Sequence, residues 1–369
     1  LVYSLDREAA GASTLSSSLP LIELAPSSGN VTQSIYLISS LILLFTCTVV
    51  FVAAPFSETI LLRSAATAHL TFGVIDMFSS IGAVELFFEY IRTGDYAMLI
   101  GQEITGFRRL IGAAPEASAF GGLSVGMFAY FLSAWTETRS RTNFVFAALL
   151  LAFTIMSLSS TAYVALAFTI CFWVAMAGLA RARIFNVGGS IMVSLVTVML
   201  VAAAFVLINS EFYNTVESVL NNLVFDKLES QSGVERGDWA RQSVQNFIDT
   251  GGLGVGLGSS RPNGWPTAVL GQLGVVGAVL WGIFLLMTIL RPLPNGMSPS
   301  TKIARQSISP ARAGALTVLF GASLSSPQVD PGYFFMTYVA AILAHRALLK
   351  AEIKFVQSRP LHPAGMGRT

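Results

Sequence analysis

Five arginines are placed where their chemistry could matter. Arg108 and Arg109 share one polar stretch, and Arg236, Arg241 and Arg261 share another. A guanidinium is a planar fork of donors that grips phosphate or carboxylate oxygens two at a time, so an arginine without an acidic partner suits an anionic ligand. Arg241 has Asp238 three residues back on a predicted helix, which offers it a local ion pair. Arg236 instead faces Ser232, Gly233, Trp239 and Ala240, while Glu235 points elsewhere, so it lacks a partner of its own. Arg108 and Arg109 precede Pro115 and Glu116, which suit the first residue and first turn of a helix. The positive potential at that helix start adds to the two cations and favours an anion.

The run Gly251-Gly252-Leu253-Gly254-Val255-Gly256-Leu257-Gly258 leads into Ser259, Ser260 and Arg261. It has no GxGxxG in register, no Lys-Ser/Thr of a phosphate-binding loop, and it follows a helix where those motifs need a strand. Its backbone could still approach a ligand closely and offer N–H groups to an anion, through Gly254 and Gly256 in particular, or it could serve as a hinge. His69, His345 and His362 all fall away from these stretches, so a metal site has no support and no cofactor is expected. Cys47 and Cys171 lie in apolar runs, as buried thiols do.

These residues must be positioned by membrane helices. Hydrophobic residues make up 53% of the chain and charged residues only 11%, far below the roughly 25% charge of a soluble domain. The net charge of +2 gives no reason to expect nucleic acid. About 20 apolar residues cross a bilayer as a helix. Runs of that kind fall near 35–54, 65–91, 115–135, 143–158, 161–180, 187–208, 265–290, 311–325 and 332–350. The expected fold is therefore an all-α polytopic membrane protein of about nine spans, with 143–180 a hairpin closing at Leu158-Ser159-Ser160. Residues 1–34 form a polar tail, 35–350 one transmembrane domain and 351–369 a second tail.

Basic residues in short loops are retained in the cytoplasm. With the C-terminus inside, most of the 22 basic residues fall inside as well. The tail 1–34 and the loops 92–114 and 209–264 then lie outside, and a further span upstream of Leu1 is expected. The outside arginines run against this bias and gather in two loops. Within 209–264, an amphipathic helix is predicted over Phe212 to Leu228 and a second over about 233–250, with Ser232 and Glu235 as a capping box and Gly251-Gly252 as terminator. Asp76 falls at mid-depth of the second span, where a carboxylate is a candidate functional group, neutralised or paired. Gly122 and Gly126 have the small-xxx-small spacing of close helix contacts.

Taken together, Arg109-Leu-Ile-Gly112 with Pro115 ahead of a span, Arg236-Gly-Asp-Trp239 with Gly252-Leu-Gly254-Val-Gly256, and Leu270-Gly-Gln-Leu-Gly274-Val-Val-Gly277 resemble the O-antigen ligase and Wzy-type polysaccharide polymerase superfamily. The resemblance covers about residues 100–290. It implies a multi-pass glycosyltransferase of the bacterial inner membrane with a large helical periplasmic loop. It also implies a donor glycan on undecaprenyl pyrophosphate, a glycan acceptor, no metal, and flippase and chain-length regulator proteins as partners in the surrounding lipid. Arg109 and Arg236 carry over as the catalytic arginines that engage the pyrophosphate. Arg108, Arg241, Arg261, Glu116, Trp239, Gly254 and Gly256 are the associated substrate-binding candidates. The chain departs from the ligase branch in having Ser259-Ser260-Arg261-Pro262-Asn263 where an outside histidine would follow the glycines, which favours an exopolysaccharide or O-antigen polymerase. The general base stays open among Glu116, Glu235, Asp238 and Asp249.

Overall fold

The computed structural model describes residues 3–5, 21–79, 81–92, 103–104, 107–179, 231–292, 294 and 298–357. They are predominantly helical. In chain order the helices are α1 (Ser28–Ala53), α2 (Ser57–Met77), α3 (Gly82–Ile91), α4 (Ala117–Thr138), α5 (Arg141–Met156), α6 (Ser160–Leu179), α7 (Gln231–Asp249), α8 (Trp265–Met287), α9 (Pro299–Ser325) and α10 (Tyr333–Gln357). Among the described residues, strands are confined to two short antiparallel pairings, Tyr3–Leu5 with Leu21–Glu23 and Glu103–Ile104 with Phe107–Arg108.

Among the described residues, α1, α4, α8 and α10 are long and apolar enough to cross a membrane. They differ in what covers them. The apolar stretch of α4 is 72% buried and that of α1 only 17%, so α4 is the internal helix and α1 presents its apolar residues outwards. Exposed apolar rows on α1 (Ile38, Ile42, Phe45, Val49) and α8 (Val276, Val279, Ile283) would be unstable against water and suit hydrocarbon. Helix α4 packs on α5, α6 and α9, and α10 joins α9 to α1. Close approach is set by small residues. A β-carbon at Gly126 would come within 2.6 Å of Val318 on α9, and one at Gly121 within 2.5 Å of the Ser157 hydroxyl. Gly122 faces open space, so the contact residues of α4 are Gly121 and Gly126 rather than the pair read from the sequence.

Several expected boundaries move. The second span does not run unbroken over 65–91: α2 ends at Met77, and Phe78–Ile81 separate it from α3. Asp76 thus sits at a helix end rather than within one long helix. The apolar run at 311–325 extends back to Pro299, because Ser298 accepts from the Thr301 N–H and Pro299 tolerates the first helical turn. Helix α1 starts at Ser28, inside the expected tail, and α10 continues to Gln357. The hairpin at Leu158 forms as read, with Leu158 in the left-handed region at φ 45°. The span expected at 187–208 and the amphipathic helix at 212–228 lie outside the described residues.

The helix directions sort the polar residues to two ends. One end holds the start of α1, the end of α2, the start of α4 and the glycine run. The other holds Glu58, whose carboxylate meets His345 at 2.9 Å and accepts from Ser307, together with Arg63 bonded to Asn143. His69 lies between them on α2, bonded to Ser124 and stacked on Phe120 at 4.3 Å.

Candidate functional site

The first arginine loop is built on Asp76. This carboxylate is 1% exposed. Arg92 Nη2 donates to its Oδ1 at 2.9 Å, and the N–H groups of Ile111 and Gly112 both donate to Oδ2, at 2.8 and 3.0 Å. Two successive backbone N–H groups can converge on one oxygen because Gly112 is left-handed, at φ +52°. A side chain there would also strike Phe120, since its β-carbon would lie 2.6 Å from the ring. Arg92 completes the clamp by donating to the Gly112 carbonyl and lying 4.0 Å over the Phe88 ring. Leu110 N–H bonds to Met156 O at 3.1 Å, which ties the loop to the α5–α6 hairpin. Arg108 points back towards Asp76 at 3.8 Å, and its partly exposed side chain assists the clamp.

Arg109 goes the other way. It is half-buried, and burial pulls its guanidinium below the usual arginine range. Arg236 lies close enough to push it further down, while Glu116 and Tyr163 oppose that shift. The two arginines are 127 positions apart in sequence and share one patch of electrostatic space. Glu116 is the residue just ahead of α4, with extended backbone, so the helix starts later than Pro115 and Glu116 suggested. Its carboxylate accepts from Ser118.

Helix α7 carries Arg236 and Trp239 within one turn. It reaches back at least to Gln231, so Ser232 lies within the helix and not at its cap. It ends as expected, with Gly251 and Gly252 at φ +60° and +87° and their N–H groups returning to Ile248 O and Phe247 O. Arg236 is half-buried and has no ion-pair partner among the described residues. Arg241, in contrast, is paired with Asp238 at 2.7 Å on the surface, 81% exposed. The Arg261 guanidinium lies 4.3 Å over the Trp239 ring, so the end of the glycine run closes onto α7 through a cation–π contact.

The glycine run itself does not offer an N–H cradle. Gly254 N–H bonds to Thr250 Oγ1 at 3.0 Å, Val255 N–H to Gly271 O at 2.9 Å, Gly256 N–H to Gln272 O at 2.9 Å and Gly258 N–H to Gln272 Oε1 at 2.9 Å. The Gly271 and Gln272 carbonyls become available because α8 widens into a π-turn over Val269–Leu273 and breaks at Gly274, φ +63°. Gln272 also donates to Ser260 O at 3.0 Å, and Ser243 of α7 donates to Thr267 O at 2.8 Å. Asn30 at the start of α1 donates to Leu257 O and Ser259 Oγ, both at 2.7 Å. The N–H groups of Gly254 and Gly256 are therefore taken up by the protein, and the run is held against α8 rather than forming an anion cradle from them.

Arg236 and Glu116 thus both lie within electrostatic reach of Arg109, the Arg261 guanidinium lies over the Trp239 ring, and Arg108 and Arg241 are directed to carboxylates of the protein. Sequence reading missed Arg92 and Tyr163 as neighbours of the site, along with Asn30 and Gln272 as its braces. A lone Gln between glycines in an apolar span was a usable signal for Gln272; Asn30 carried none. Asp330 was missed too. It is buried in the α9–α10 connection, accepts from Ser40 and Gly332, and burial pushes its carboxyl above the usual range. Compared with family models, curated proteins and solved structures, the chain matches none.

Proposed function

We propose that this protein is a metal-independent membrane glycosyltransferase. It moves an oligosaccharide from a lipid pyrophosphate donor onto a glycan acceptor at the outer face of the bacterial inner membrane, with its C-terminus in the cytoplasm. The observation that supports this reading is the convergence of Arg109 and Arg236. Two cations held together at a cost in mutual repulsion, with one carboxylate nearby, suit a ligand of multiple negative charge. Pyrophosphate has that character, and its forked oxygens match two guanidinium groups.

In the transfer, an acceptor hydroxyl attacks the anomeric carbon while the bond from that carbon to the pyrophosphate oxygen breaks. The electron pair leaves with the pyrophosphate, and the hydroxyl proton passes to a base. Arg109 and Arg236 stabilise the charge that develops on the leaving oxygen. Donors fixed in advance are effective here because they need no reorganisation, and loss of one commonly lowers the rate about 10²–10³-fold. Glu116, within electrostatic reach of Arg109, is a candidate for that base. Trp239, braced by Arg261, offers an apolar face to a sugar ring.

The test is incubation of purified protein with an undecaprenyl pyrophosphate oligosaccharide. Wild type is expected to give a ladder of products, with Arg236→Ala and Arg109→Ala each reduced about 10²–10³-fold and Arg236→Lys restoring little. Full activity in Arg236→Ala protein would remove the assignment. A single transfer to lipid A core would make the enzyme an O-antigen ligase, and binding without turnover would favour a transporter or flippase.

A further inference from the structure

A second basic site stands at the opposite end of the molecule. Arg346, Lys350 and Lys354 follow one another at four-residue spacing on α10 and so form one row along the helix. Leu349 and Ile353 lie beside them, and Arg291, just past the end of α8, faces the row. Together these residues line a groove of about 610 Å³. No carboxylate lines it among the described residues. Glu352, the acid on this stretch of α10, accepts from Ser300 instead.

The groove is held in shape by its own arginine. Arg346 Nη2 donates to Arg291 O at 2.9 Å and to Pro292 O at 3.0 Å, which fixes the chain leaving α8 against α10. Arg291 and Arg312 both lie within electrostatic reach of Arg346, so repulsion is concentrated where no acid among the described residues lines the groove. Lys350 and Lys354 are exposed and free to turn towards a ligand. Both α8 and α10 are long and apolar enough to cross a membrane, and the groove lies beside their ends. Cations at the mouth and aliphatic side chains along the wall are complementary to a phosphate headgroup with its acyl chains.

We propose that the groove formed by Arg291, Arg346, Lys350 and Lys354 with Leu349 and Ile353 binds the headgroup of an anionic phospholipid. The bound lipid bridges α8 and α10 and offsets the charge that these residues gather. Basic pockets between membrane helices recognise phosphate headgroups in this way, and each added cation near the surface strengthens binding several-fold. The site is independent of the arginines assigned to glycan transfer.

The experiment is native mass spectrometry of the full chain in detergent with phosphatidylglycerol, with phosphatidylcholine of the same acyl chains, and with inorganic phosphate as competitor. Retention of phosphatidylglycerol over phosphatidylcholine is expected, and the double variant K350A/K354A is expected to lose roughly tenfold of that retention. Arg141→Ala removes an exposed charge from outside the groove and should change nothing. Lys354→Glu, a single exposed change, covers the case of a double variant that fails to fold. Equal retention of the two lipids, or equal retention by wild type and groove variants, would overturn the proposal. Displacement of the lipid by millimolar inorganic phosphate would identify the ligand as soluble phosphate and overturn it as well.

Discussion

The loop from Phe107 to Glu116 and the run from Gly251 to Gly258 lie at the same end of the molecule and are held by opposite means. The arginine loop depends on one buried charge: Asp76 receives Arg92 and two backbone N–H groups. The glycine run depends on neutral bonds spread over Thr250, Gly271 and both faces of the Gln272 amide. In each case the backbone N–H groups that an anion might have used are already occupied by the protein. The first loop is fixed by a charge drawn to one oxygen pair, and the second is pinned between α7 and α8 by many neutral bonds.

Concentrating a loop on one carboxylate makes it vulnerable. Asp76→Ala would leave Arg92 buried and unpaired at 5% exposure and release two N–H groups. Removing one partner of a buried ion pair costs about 3–5 kcal/mol, and this is the largest effect expected. Thermal unfolding in detergent reads it as a large drop in midpoint. The double variant Asp76→Ala with Arg92→Leu should recover part of the loss, because no uncompensated charge remains. An unchanged midpoint in Asp76→Ala protein would show that the clamp does not hold the loop.

The distributed loop should resist most single losses and fail where space is absent. Gly254 is at φ +78°, and a β-carbon there would lie 2.7 Å from both Gln272 O and Gly274 N. Both neighbours are backbone and cannot swing aside. Gly254→Ala is expected to cost about 1–3 kcal/mol from conformation alone, with the contact adding to it. The same change at Gly122 meets nothing within 4 Å and should cost far less. If the two variants unfold together, the run is not pinned as described.

How much of this was legible follows from which interactions are local. Helix α7, its glycine terminator and the Arg241–Asp238 pair are set by neighbours three or four residues apart, and each was readable from spacing. So were the hairpin at Leu158 and, among the described residues, the lack of an ion-pair partner for Arg236. The break after Met77 was not, although Ser79-Ser80 ahead of Gly82 marks it in the way Ser159-Ser160 marks the hairpin, because the apolar residues on both sides are together long enough to cross a bilayer as one span. Asp76 looked like a mid-membrane acid because its partners, Arg92 and the Ile111–Gly112 backbone, are 16 to 36 residues away. The occupied N–H groups of the glycine run were equally hidden, since a π-turn has no signature that separates it from ordinary apolar helix. No local spacing brings Arg109 within electrostatic reach of Arg236, since 127 positions separate them.

The smallest effect sharpens the comparison most. Arg241 and Arg236 stand five residues apart on one helix, yet Arg241 is exposed with its charge directed to Asp238, and Arg236 is half-buried beside Arg109. A surface ion pair three residues apart contributes a few tenths of a kcal/mol at most. Arg241→Ala should therefore leave both the unfolding midpoint and the rate of glycan transfer close to wild type, whereas Arg236→Ala should spare the midpoint and abolish most of the rate. Measuring both quantities for both variants separates a local charge from a ligand-facing one. A rate loss in Arg241→Ala equal to that in Arg236→Ala would mean that the whole basic face of α7, and not one aimed guanidinium, serves the anion.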